Sequence, residues 1–232
     1  MRLELEELAD PEKAVHTQRF FKTAPGEYGH GDRFIGIRVP PLRHLARQFS
    51  DLTQKELQEL LDSPIHEERL IALIMLVNRY QKGSDDDKKE VFDFYLANTA
   101  AVNNWDLVDV SAPHIVGHWL YEHPKNDLLY RLARSDNLWE KRISIIATLY
   151  FIRQNRFSDT MKIAEILLND PHDLIHKASG WMLREVANRD RKATESFLEK
   201  HYRNIPRTML RYAIEKFPEP LRKAYLHKLS AK

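Results

Sequence analysis

Five residues carry most of the chemical information in this chain: Trp105, Asp109, Arg142, Lys177 and Trp181. Two large π-faces, one carboxylate and two cations make a poor apolar core. They suit a cationic, base-bearing ligand on a phosphate backbone. An aromatic face attracts a cationic ring, and a nucleobase carrying an extra alkyl group is cationic. A carboxylate such as Asp109 can stabilise positive charge developing on a substrate, or activate water. The alternative for Asp109 is a structural ion pair with Arg69 or Arg142, since ion-pair networks also perturb acids. Two tryptophans on the same stripe tip the reading toward function. Trp119 and Trp139 lie off it and read as packing.

The elements that must position these residues are helices. Apolar residues recur at helical spacing almost throughout. Cysteine is absent, glycine numbers 7 in 232 residues, and 30% of residues are charged. Leu, Ala, Glu, Lys and Arg with little glycine favour an all-helical chain. Met1 to Leu8 reads as an amphipathic acidic helix or strap. Pro11 opens a helix to Thr23, with Asp10 as N-cap. Residues 24–34 form the one long irregular segment, and Pro40 opens a helix through Phe49.

From there helices come in pairs: Thr53–Leu61 with Pro64–Gln81, Asp86–Asn98 with Asn104–Glu122, and Pro124–Ala133 with Leu138–Gln154. Ser158–Leu168 pairs with His172–Arg189, and Arg191–Tyr202 with Arg207–Phe217. A last helix runs from Glu219 to Leu229. Recurring helix pairs with short joints are the signature of an α-solenoid of HEAT-like repeats. No linker interrupts the pattern, so residues 1–232 read as a single domain.

The second helices of the pairs share a register. Pro64-Ile-His-Glu-Glu-Arg69 aligns with Asn104-Trp-Asp-Leu-Val-Asp109, Asn137-Leu-Trp-Glu-Lys-Arg142 and His172-Asp-Leu-Ile-His-Lys177. Arg69, Asp109, Arg142 and Lys177 therefore occupy one repeat position, a column in which Asp109 is the only acid. Trp105 precedes Asp109 by four residues and Trp181 follows Lys177 by four, which keeps both on the stripe. Pro113, four residues after Asp109, removes the partner of the Asp109 carbonyl, so a kink is expected there. Arg142 and Lys177 can hold phosphates. Arg38, Arg43, Arg47, Arg69, Arg184, Arg207 and Arg211 are further candidates.

Other chemistries are weaker. A net charge of +2 does not by itself announce a nucleic-acid binder, though segregation of charge matters more than its sum. Without cysteine, disulfides and thiolate metal sites are excluded, and a reducing cytosol fits. No apolar run could span a bilayer and no signal-peptide core is present. His114 and His118 are four apart but lack an obvious third ligand, so no metal and no cofactor is expected. The glycines of residues 26–31 do not follow a strand and do not make a phosphate loop. A monomer is the default.

Three stretches resemble the AlkD-like DNA alkylation repair glycosylases: Asn104-Trp-Asp-Leu-Val-Asp109, Asn137-Leu-Trp-Glu-Lys-Arg142 and Gly180-Trp-Met-Leu-Arg-Glu185. So does Phe34-Ile-Gly-Ile-Arg-Val-Pro-Pro-Leu-Arg43. The similarity runs from about Pro11 to the last repeats. It implies a HEAT-like-repeat fold whose concave face binds duplex DNA. It also implies excision of N3- and N7-alkylated purines by hydrolysis of the N-glycosidic bond, without flipping the base. The resemblance assigns the work to Trp105, Asp109, Trp181 and Arg142, the tryptophans contacting the deoxyribose and the carboxylate stabilising the oxocarbenium-like charge. Departures fall at the glycine-rich loop before Arg38, at Arg38-Val39, and in the short N-terminal helix. Relatives exist that keep the fold, lack detectable glycosylase activity and bind branched or unusual DNA. A catalytically inactive binder of such structures is therefore the second reading, and a protein-interaction solenoid the third.

Overall fold

Local capping signals set the helices where the spacing places them. In a computed structural model describing residues 1–124 and 127–230, helix α1 (Arg2–Leu8) precedes α2 (Pro11–Phe20). The Asp10 carboxylate accepts from the Lys13 amide at 3.0 Å and caps α2, with Pro11 at its first position. Helix α3 spans Val39–Gln48, and α4 (Gln54–Leu61) begins at a reciprocal Thr53–Glu56 capping box. Then come α5 (His66–Lys82), α6 (Asp85–Ala97), capped by Ser84 and Asp87, and α7 (Trp105–Ser111).

The chain divides into two compact units, Met1–Ile115 and Val116–Lys232. In the first unit α5 is the central element, packed against α3, α4, α6 and α7. Its run Leu70–Val77 is buried on every side, as an all-round apolar helix must be. The second unit contains α8 (His118–Glu122), α9 (Leu128–Leu132), α10 (Leu138–Arg153) and α11 (Ser158–Ile166). It continues with α12 (Asp173–Ala187), α13 (Arg191–His201), α14 (Arg207–Ala213) and α15 (Glu219–Ser230). Here α10 and α12 are central: α10 packs on α8, α9, α11 and α12, and α12 also on α13 and α14. In both units a short outer helix precedes a longer buried one. The fold is all-α, and among the described residues the only extended pairing is an isolated bridge between Arg33 and Ile65.

The helix expected over residues 104–122 is interrupted. One turn of π-helix, Pro113–Gly117, separates α7 from α8. The missing amide of Pro113 forces this local widening where a kink was expected. The helix expected from Pro124 to Ala133 is observed over Leu128–Leu132, and Lys125 and Asn126 lie outside the described residues. Among the described residues no helix is long and apolar enough to cross a membrane.

The glycine-rich segment is ordered by its contacts with the opening turn of α5. The Arg33 amide donates to the Pro64 carbonyl at 3.0 Å, and the His66 amide to the Arg33 carbonyl at 2.8 Å. The buried Glu67 carboxylate gathers the amides of Ile35, Gly36 and Ile37, the Gly36 bond being 2.8 Å. Gly36 has φ +83°, and a Cβ there would sit 2.1 Å from the Asp10 carbonyl oxygen. Only glycine allows the loop to pass so close to the start of α2.

Candidate functional site

In the first unit the opening of α7 presents Trp105, Asp106 and Asp109, all half-buried. Asn104 caps this helix, its side chain accepting from the Trp105 amide at 2.8 Å. The Trp105 ring stacks on Phe21, with centroids 5.0 Å apart and planes 9° from parallel. Phe20 meets the same indole edge-on at 6.0 Å and is itself 63% exposed. Trp105 thus belongs to an aromatic cluster that reaches the surface, rather than to the core.

A buried charge network fixes that turn. The His66 ring donates through Nδ1 to Asp32 at 3.2 Å and through Nε2 to Asp106 at 2.8 Å. Asp32 also accepts from Asn104 at 3.0 Å and from the Arg69 guanidinium. A neutral imidazole would aim a lone pair at one of these carboxylates, so the ring is an imidazolium. Burial pushes its pKa down, but Asp106 and Asp32 outweigh burial and raise it from 6.5 to about 9. Burial likewise opposes ionisation of Asp32, yet His66, Arg69 and Asn104 hold its carboxyl below the usual range. No local pattern marks Asp32, His66, Asp106 or the Phe20–Phe21 pair as site residues, because their partners in the network lie 34 residues or more away along the chain. Only the close Phe20-Phe21 dipeptide and the acid at each end of Asp106–Asp109 were visible as local signals.

This network corrects the place of Arg69. It was expected among the DNA-contacting cations, yet it is 4% exposed. Its guanidinium binds Asp32 and, at 2.7 Å, the Ser63 carbonyl. Burial and these partners leave it no phosphate to hold. Arg38 and Arg43, by contrast, are exposed at the start and middle of α3.

In the second unit Arg142 is also buried, at 5% exposure, and donates to the Leu174 carbonyl at 2.9 Å. It ties α10 to the first turn of α12. The repeat column expected from Arg69, Asp109, Arg142 and Lys177 is therefore not a stripe of open charge: Arg69 and Arg142 are interior, while Asp109 and Lys177 are half-buried. Trp181 is half-buried, its indole donating to Glu185 at 2.9 Å one turn along α12. Arg184 pairs with Glu215, just beyond the end of α14. Lys177 pairs with Asp173 at 2.8 Å, whereas Arg207 and Arg211 are exposed on α14. Lys177, Arg211 and Arg222 border one cavity of about 420 Å³, together with Thr208, Tyr212 and Glu215. Of these cations Lys177 is ion-paired with Asp173 and Arg222 with Glu219.

A family profile described as DNA alkylation repair enzyme matches residues 1–217. The chain belongs to the DNA alkylation repair family. A solved structure described as a predicted DNA alkylation repair enzyme from Enterococcus faecalis shares the fold. It superposes with a TM-score of 0.68 at 17% identity, covering 91% of this chain and 97% of that one. No match was found among curated proteins. Family membership supports a role in the repair of alkylated DNA and makes DNA the substrate.

Proposed function

We propose that the protein is a DNA glycosylase that excises cationic N3- and N7-alkylated purines, such as 3-methyladenine and 7-methylguanine, from duplex DNA. The bond hydrolysed is the N-glycosidic bond, and the base is not flipped into a pocket before it breaks. Asp109, Trp105, Trp181 and Arg142 are the residues assigned to the reaction. Arg38, Arg43, Lys177, Arg184, Arg207 and Arg211 are assigned to the DNA backbone.

The observation that carries this reading is the pairing of Trp105 with Asp109 one turn apart on α7 in a DNA alkylation repair family member, both half-buried. A cationic alkylpurine is already a good leaving group, so no acid is needed to protonate it. What the enzyme must favour is positive charge on the sugar as the base departs. A preorganised carboxylate does so, and an aromatic face adds to it. A carboxylate in a surface that binds phosphates opposes DNA binding, which makes sense only if it acts on the reacting sugar.

Burial of Arg142 favours a second reading. If its guanidinium serves to hold α10 against α12, one member of the assigned group is structural, and the protein is a non-catalytic binder of branched or unusual DNA.

The deciding experiment is release of methylated purines from methylated duplex DNA by wild-type and Asp109→Asn. The glycosylase reading expects release by wild-type, at least a hundredfold less by the variant, and unchanged or tighter DNA binding after removal of the negative charge. Salt-sensitive duplex binding with no release by wild-type would leave the structure-binding reading in its place.

A further inference from the structure

The first unit holds a cavity of about 480 Å³ between α2, the loop before α3, and the opening turns of α5 and α7. Its size lies within the ~300–1,000 Å³ of small-molecule sites. Phe21, Phe34, Ile37 and Leu70 give it a mostly apolar, partly aromatic wall. At its inner end stands Asp106, whose carboxylate is 19% exposed and is fixed by the 2.8 Å bond from His66. Arg38 stands at its rim with its residue exposed. This is a preformed site: the acceptor is locked by a buried imidazolium, and the loop forming one wall is locked by Glu67 and by the close passage of Gly36.

We propose that this cavity binds a free purine base, and that it receives the base released when the glycosidic bond breaks. The fit is chemical. A purine has two apolar faces and a polar edge bearing both donors and acceptors. The aromatic and aliphatic walls take the faces, the Asp106 carboxylate takes an amino or ring N–H, and the Arg38 guanidinium takes a ring nitrogen or carbonyl oxygen. Three carboxylates, Glu12, Glu67 and Asp106, border the cavity. Lys13, Arg38 and the His66 imidazolium line it as well, so the cavity has no excess of positive charge to draw a phosphate, and an uncharged base fits it better than a nucleotide. Asp106 lies between Trp105 and Asp109 on the two-turn α7, so the site adjoins the residues assigned to the reaction. The origin of the base rests on the glycosylase reading, whereas the binding itself does not.

The test is calorimetric titration of the wild-type protein with 7-methylguanine, 3-methyladenine and adenine, and with adenosine monophosphate as the phosphate-bearing comparison. Saturable binding of the bases is expected, at least tenfold tighter than that of the nucleotide. Val39→Trp fills the mouth from a position that is 40% exposed and so tolerates the larger side chain. It should weaken base binding at least tenfold with the helical circular dichroism unchanged. Arg38→Ala, also at an exposed position, should weaken it threefold or more. No saturable binding to folded wild-type at millimolar base overturns the proposal, as does binding that neither variant weakens or a nucleotide that binds as well as the base. Excision of methylated purines without base binding would sink this proposal and leave the glycosylase reading intact. Base binding without excision would do the reverse.

Discussion

A guanidinium that is 5% exposed and donates to a main-chain carbonyl holds structure before it holds a ligand. Replacing Arg142 by Ala removes its bond to the Leu174 carbonyl and opens a void between α10 and α12. The expected loss is about 2–4 kcal/mol, from the unmade bond and the cavity together. It would be read as a lower urea midpoint at unchanged slope. Arg211 is the contrasting case, exposed on α14 beside Lys177. Arg211→Ala should leave stability within about 0.5 kcal/mol, weaken duplex binding across sequences, and reduce the salt slope of binding by about one. A slope identical to wild-type would remove Arg211 from the phosphate contacts. The types of these residues were legible in the sequence; their exposure was not. Equivalent repeat positions share a place along the helix, but what fills the space beside each depends on a neighbouring element. Asp32 claims Arg69 from a loop 37 residues away in sequence, and the Leu174 carbonyl claims Arg142 from 32.

Helices are where the sequence was most transparent, because each is closed by its own local signals. Asp10, Thr53, Ser84, Asn104, Asn137 and Asp190 each place a side-chain acceptor at a helix start. Most of the expected helices are therefore observed within a residue or two of their ends. The differences have local causes too: Pro113 replaces an α-turn with a π-turn, and α14 ends at Ala213 where a helix to Phe217 was expected. Close helix approach was less visible. A Cβ on Gly180 would meet the Met209 carbonyl oxygen at 2.5 Å and the Tyr212 Cβ at 2.6 Å. The absent side chain is what brings α12 against α14, and with it sets Trp181 and Arg211 on adjoining helices of one unit. Gly180→Ala gains up to ~1 kcal/mol of helix propensity but forces the two backbones apart. The clash is expected to win, giving a net loss of about 1–3 kcal/mol. Thermal unfolding would show it as a lower midpoint; a raised midpoint would mean α14 moves away without strain.

For the molecule as a whole, the buried Asp32–His66–Asp106 chain makes stability depend on pH in a definite direction. In the unfolded chain His66 has its ordinary pKa of 6.5; in the fold it is raised to about 9. The native state therefore keeps a proton that the unfolded state has lost throughout that interval. The stabilisation is fully present below about pH 6.5 and is lost as pH rises through about 9. Two and a half units correspond to roughly 3 kcal/mol, a large share of the ~5–15 kcal/mol that holds a domain folded. Asp32 acts in the opposite sense. Its pKa is lowered from 3.8, so its contribution is present above that value and disappears as pH falls through the depressed one. The network predicts greatest stability between about pH 4 and 6.5, with a decline toward pH 9.5. Urea midpoints measured from pH 5 to 10 should trace this decline in the wild-type protein. His66→Gln should be less stable at pH 6, since two carboxylates lose their shared cation, and nearly flat across the alkaline window. The indole of Trp105 offers a second readout, because Asn104 and Asp106 on either side of it are both held by the network. Its emission should shift over the same pH interval in wild-type and not in His66→Gln. Midpoints that stay level to pH 10 in wild-type would show that His66 is neutral in the fold, and that Asp106 is held by something other than an imidazolium.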